Sequence, residues 1–168
     1  MKLRLLVTKE CDRDCHGCCN DQYNLDALPV ETDFRPYEEI IITGGEPMLT
    51  PNKVLAVVRE IRRQTIALPK IYMYTANADY PERIITILEQ IHGLTFALHN
   101  RSDIMPLNRL TQKLLISPLS RSLRLYIIEK VDITHLHSLT NVLWQTKVKK
   151  WEAYCPLPDG EVLKRIEW

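Results

Sequence analysis

Short apolar runs rich in β-branched and aromatic residues recur along this chain, with amphipathic stretches between them. That alternation constrains the fold more than any other feature. Residues 3–7, 39–43, 70–75, 94–98, 123–128 and 148–154 read as strands, because such side chains pack well on a pleated, buried surface. Helical spacing of apolar residues predicts helices over 51–65, 81–91, 107–115 and 133–144. Thr50 is placed to cap the first of these, and Pro51 suits its first turn. Residues 19–35 are the least regular.

Strand followed by helix, repeated, implies parallel strands with right-handed crossovers. Six such units are too few to close an eight-stranded barrel. The expectation is therefore an α/β fold, a single-domain partial (β/α)6 barrel of parallel strands spanning 1–168, with a doubly wound sheet as the other arrangement that fits. A short C-terminal tail, 155–168, follows. In either arrangement ligands gather at the C-terminal ends of the strands. The chain should then form a mouth after Val7, Thr43, Thr75, Leu98, Ile128 and Tyr154.

A length of 168 residues is about one domain, and 45% hydrophobic with 26% charged residues is ordinary for a globular chain. The net charge of +1 gives no bulk electrostatic footprint for nucleic acid. Lys147, Lys149 and Lys150 form a local basic group that reads as a solvated strand end. No stretch approaches the roughly 20 apolar residues of a membrane span. The first residues are too short an apolar run for a signal peptide and soon meet Lys9, Glu10 and Asp12. The expected location is cytoplasmic, with no membrane partner.

Four of the five cysteines fall between positions 11 and 19. An odd, crowded set is a poor disulfide framework and a better ligand set. The loop 9–20 contains Cys11-Asp12-Arg13-Asp14-Cys15-His16-Gly17-Cys18-Cys19-Asn20, with Cys-x3-Cys-x2-Cys spacing. Soft thiolates on a loop suit an iron–sulfur centre, and three of them leave one iron without a protein ligand. A structural zinc site closed by Cys19 or Cys155 is the competing reading, although the second Cys-x2-Cys knuckle usual in such sites is missing. An electron-transfer ferredoxin would need a fourth cysteine. Cys19 reads as a small buried or wall residue, and Cys155 as structural or, less simply, substrate-facing. His16 lies near any such centre without needing to ligate it.

The spacing, its position after the first strand and the strand rhythm resemble the radical S-adenosylmethionine (SAM) superfamily. So does the end of the second strand, Thr43-Gly44-Gly45-Glu46-Pro47, which is similar to that superfamily's Gly-Gly-Glu motif. The resemblance implies that Cys11, Cys15 and Cys18 bind a [4Fe–4S] cluster and that SAM chelates the fourth iron. It implies that Gly44, Gly45 and Glu46, followed by Pro47, bind the methionyl amino group. Gly17 stands in the SAM-proximal position where the family often has an aromatic residue. Here Cys15-His16-Gly17-Cys18-Cys19-Asn20 looks like the Cys-x-Gly-Cys-x-Asn form of anaerobic ribonucleotide reductase activases.

Other strand ends add candidates. Thr75 and Asn77 are placed to line a SAM pocket, or to cap the next helix. His99 and Asn100 are candidates for the SAM ribose or carboxylate, and Arg101 for a carboxylate or a surface ion pair. Ser102 or Asp103 caps the helix that follows. Glu129 and Lys130 end the fifth strand undecided, and His135 and His137 read as core or surface.

The resemblance implies reductive cleavage of SAM to methionine and a 5′-deoxyadenosyl radical, with an external one-electron donor of flavodoxin or ferredoxin type. A glycyl-radical enzyme is one expected substrate, and a protein substrate would suit a compact chain with little lid. A peptide or a small metabolite such as a nucleoside precursor is the alternative. A non-catalytic iron–sulfur or zinc binding module is the third class.

Overall fold

A computed structural model describes residues 1–152 and 156–168. Seven strands form one sheet: β1 (Lys2–Leu6), β2 (Glu39–Thr43), β3 (Lys70–Thr75), β4 (Gly93–Leu98), β5 (Ser122–Ile128), β6 (Gln145–Lys149) and β7 (Glu161–Arg165). Their order is β6-β5-β4-β3-β2-β1-β7 and every pairing is parallel. The α/β class and parallel sheet are as expected. The edges β6 and β7 do not pair with each other, so the sheet is not closed.

Four helices accompany it: α1 (Pro51–Gln64), α2 (Pro81–Leu88), α3 (Ile104–Ile116) and a single turn, α4 (Thr140–Leu143). They pack in sequence, α1 on α2, α2 on α3 and α3 on α4. Strands alternate their side chains between two faces. One face, with Leu3, Leu5, Ile40, Ile42, Ile71, Met73, Leu94 and Phe96, shares a single buried cluster with Val54, Val58 and Ile61 of α1, Ile84 and Leu88 of α2, and Leu107 and Leu110 of α3. Each such side chain contributes about 1.5–3 kcal/mol by leaving water. With the helices on this face, the opposite face is left to form a cavity, as in a partial barrel and unlike a doubly wound sheet.

Several expectations need correction. The sixth strand is shifted, to Gln145–Lys149. Tyr154 and Cys155 lie outside the described residues. The stretch 133–144 is helical only at its end. Asp132 accepts from the backbone N–H of Thr134 at 3.0 Å, and the His137 ring accepts from that of Leu139 at 3.1 Å. These local bonds offer the backbone an alternative to the helix. Thr50 holds the N-cap position of α1, as expected, but makes no side-chain capping bond.

The C-terminal segment is more than a tail. After β6 at one edge, the chain crosses to the other edge, where β7 pairs with β1 (Leu3 opposite Val162). The crossing places Trp151, Glu152, Pro156, Leu157 and Pro158 on the wall of the cavity. The outer side of β7 is covered by residues 29–31: Val30 bridges to Arg165, and Glu31 N–H donates to the Arg165 carbonyl at 2.7 Å. The Glu31 carboxylate also takes bonds from Tyr37 and from Lys164. By contrast β6 is exposed throughout and carries Lys147 and Lys149, charges that discourage further strand pairing. Among the described residues, no helix is long and apolar enough to cross a membrane.

Candidate functional site

Because all strands are parallel, their C-terminal ends share one side of the sheet. A cavity of about 610 Å³ opens there and runs down the inner face. Its upper wall carries Cys11, Cys15, Cys18 and Cys19, and facing residues Gly44, Gly45, Glu46, Thr75 and His99. Of the residues expected at the site, Asn77, Asn100, Pro47 and Gly17 are not on its lining.

The cysteine loop and the glycine turn are built against each other. Gly45 N–H donates to the Thr8 carbonyl at 2.8 Å, and Glu46 N–H to the Glu10 carbonyl at 2.7 Å. From the far end of the loop, Asn20 Nδ2 donates to the Gly44 carbonyl at 2.8 Å. A Cβ on Gly44 would sit 2.5 Å from the Thr8 carbonyl oxygen, and one on Gly45 2.0 Å from that of Glu10. The two glycines are thus required by the passage of the loop backbone, whatever a ligand demands.

Glu46 is 2% exposed. One carboxylate oxygen accepts from Met48 N–H at 2.9 Å and from the Thr75 hydroxyl, and the other from Ala76 N–H at 2.9 Å. An ionised carboxylate has about four acceptor sites, so one remains. Burial pushes the Glu46 carboxyl up, against the three bonds that favour its charged form. The side chain therefore ties the glycine turn to the end of β3 as well as facing the cavity. Thr75 is part of that tie.

A second clasp runs from the loop to the end of β4. Arg13 Nη1 lies 2.7 Å from both oxygens of Asp103, and both side chains are largely buried. Asp103 also completes a reciprocal capping box with Asn100 at the start of the helical segment that leads into α3. Asn100 is thereby a capping residue. Asn77 donates to Asp12 at 3.1 Å and accepts from Asp79 N–H at 2.9 Å, so it braces the same loop from β3. Arg101 pairs with Asp132 on the surface at 3.7 Å. His99 packs edge-on against Trp151, ring centroids 5.1 Å apart, and burial, then Arg13, lower its basicity.

Gly17 has φ +68°, the left-handed region that disfavours a side chain. The absence of an aromatic residue there follows from the path of the loop. His16 is exposed and off the cavity lining, as are Glu129 and Lys130. His135 is exposed, and His137 braces the turn before α4.

No protein-family model matches the chain, and no curated protein does. The site must be judged on its own chemistry.

Cys11, Cys15 and Cys18 are free thiols. Burial pushes the Cys11 and Cys15 thiols up, so a bound cation is what would hold them as thiolates. Among the described residues, no three His, Cys, Asp or Glu side chains are drawn closely enough together for a single metal ion. A cluster needs its sulfurs distributed over several irons instead. Three free thiols on one cavity wall are a soft donor set of the kind iron–sulfur centres take.

Several of these residues carried no motif. The Arg13–Asp103 clasp joins positions too far apart in sequence to be read as a pair. Arg4, Tyr74, Thr95 and Tyr126 line the lower cavity, and their signal was the period-two placement of polar residues within otherwise apolar strands.

Proposed function

We propose that this chain is a radical SAM enzyme. Cys11, Cys15 and Cys18 are the residues that would hold a [4Fe–4S] cluster, and the Gly44–Glu46 turn would receive the methionyl end of SAM. When bound, the pair supplies one-electron cleavage of SAM to methionine and a 5′-deoxyadenosyl radical that removes hydrogen from a substrate. The electron comes from an external donor of flavodoxin or ferredoxin type.

One observation carries the reading. The Cys-x3-Cys-x2-Cys loop and the Gly-Gly-Glu turn, distant in sequence, are bonded to each other and face the same cavity. The chain's own residues then have clear tasks. Glu46 offers its remaining acceptor site to an ammonium. Arg13, Asn20 and Asn77 hold the loop in register with the turn. Trp151 and the prolines of the β6–β7 crossing screen the cavity from water.

A glycyl-radical protein is one substrate class. The polar lower cavity favours a small metabolite instead. Electron paramagnetic resonance of the reconstituted, dithionite-reduced protein tests the site itself. Added SAM should change the spectrum of the reduced cluster. An unchanged spectrum would mark a non-catalytic iron–sulfur module.

A further inference from the structure

The inner sheet face below the cysteines is polar where a parallel α/β sheet is ordinarily apolar. Arg4 sits mid-strand on β1, four residues before Thr8, or about 13 Å below the loop at roughly 3.3 Å per residue. Its Nη2 lies 2.8 Å from Glu161 Oε2 at the start of β7. The Glu161 side chain is 8% exposed, while Arg4 keeps 23% and lines the cavity. The pair is poorly satisfied: Arg4 Nε has no hydrogen-bond partner among the described residues, and the Nη2–Oε2 contact is not aligned as a hydrogen bond. A buried ion pair with unmet bonds is a poor stabilising device.

The groups around it are donors. Tyr74 and Tyr126 line the same floor, and neither hydroxyl is hydrogen-bonded among the described residues. Burial, then Tyr126, push the Tyr74 hydroxyl up, and Arg4 opposes this, which puts Tyr126 and Arg4 each within electrostatic reach of Tyr74. Lys149 holds its ammonium 4.0 Å over the Tyr126 ring and has no carboxylate partner among the described residues. The lining also carries the carboxylates of Glu46, Glu152 and Glu161, and Arg4 neutralises that of Glu161.

We propose that Arg4, Tyr74, Tyr126 and Lys149 form an anion subsite that receives the carboxylate or phosphate of a small substrate, with Glu161 as the resting counter-ion of Arg4. This rests on the radical SAM reading for its catalytic meaning but not for its chemistry. An anion held on the floor would place the body of the substrate beneath the cysteine loop, where hydrogen abstraction would occur.

Calorimetric titration of the purified chain with inorganic phosphate and, separately, acetate at constant ionic strength tests it. One of the two should bind, which also tells phosphate from carboxylate. Arg4→Met should weaken that binding at least tenfold. Lys149→Met, on an exposed edge strand and so harmless to folding, should weaken it several-fold. Glu161→Gln should tighten it several-fold by releasing the guanidinium. No binding of either anion, or binding unaffected by Lys149→Met and Glu161→Gln, overturns the subsite. In the reconstituted protein the anion should bind equally with and without SAM. Competition would assign the anion to the SAM carboxylate and overturn the proposal. Because the titration needs neither cluster nor SAM cleavage, its failure and that of the radical SAM reading are separate results.

Discussion

The peptide N–H of Glu46 donates to the carbonyl of Glu10 over 2.7 Å, and this bond seals the glycine turn to the cysteine loop. Most of what the site can do depends on that seam, because a cluster held by the loop is only useful if a ligand on the turn is fixed relative to it.

Gly45→Ala should break the seam. Its Cβ would sit 2.0 Å from the Glu10 carbonyl oxygen, a backbone atom that cannot swing aside. Chemical denaturation should show a loss of about 1–3 kcal/mol, the range for overpacking. Iron bound per chain after reconstitution should fall with it. Wild-type stability and iron content would show that the loop is not pinned as described.

Asp103→Asn should leave the buried Arg13 guanidinium without its closest charge partner, with only Asp12 remaining at 3.8 Å. Removing one member of a buried pair costs about 3 kcal/mol or more. The measurable consequence beyond stability is faster loss of iron to a chelator, because the loop loses its clasp to β4.

Glu46 gives a pH signature. Its folded carboxyl is raised above the ordinary 4.5, chiefly by burial. Below 4.5 the group is protonated folded or unfolded. As pH rises, the unfolded chain ionises first, so stability falls through the window from 4.5 up to the folded value and then levels off. Denaturation of the apoprotein across that window should show the wild type losing stability relative to Glu46→Gln. A flat or rising difference would mean that the carboxylate is not held in a desolvated site.

Gly17→Ala forces a side chain into a left-handed backbone position, at a cost of about 1–2 kcal/mol. Differential scanning calorimetry should register that loss. An aromatic residue introduced there should be no better tolerated.

How far the sequence was legible varies element by element. The runs around Ile40–Ile42 and Ile71–Met73 announced buried strands because apolar continuity leaves few other folds. Pro51 and Pro81 marked the starts of α1 and α2, where a missing N–H costs nothing. Strand β7 was hidden, because Glu161-Val162-Leu163-Lys164-Arg165 is short and mostly charged. It becomes a strand because the open edge of β1 pairs with it. The apolar spacing of Leu136, Leu139 and Leu143 suggested a longer helix, but Asp132 and His137 take the backbone bonds first. At the site, the cysteine and glycine motifs could be read from local spacing. Their mutual bonding, the Arg13–Asp103 clasp and the capping role of Asn100 depend on how distant segments meet.

The central claim is that three cysteines hold a cluster which cleaves SAM bound at the Gly-Gly-Glu turn. Its most direct test is anaerobic reconstitution with iron and sulfide, addition of SAM and dithionite, and chromatographic assay for 5′-deoxyadenosine and methionine. The account predicts both products, abolished by Cys15→Ala. Intact SAM alongside a fully formed cluster, or undiminished product from Cys15→Ala, would contradict it.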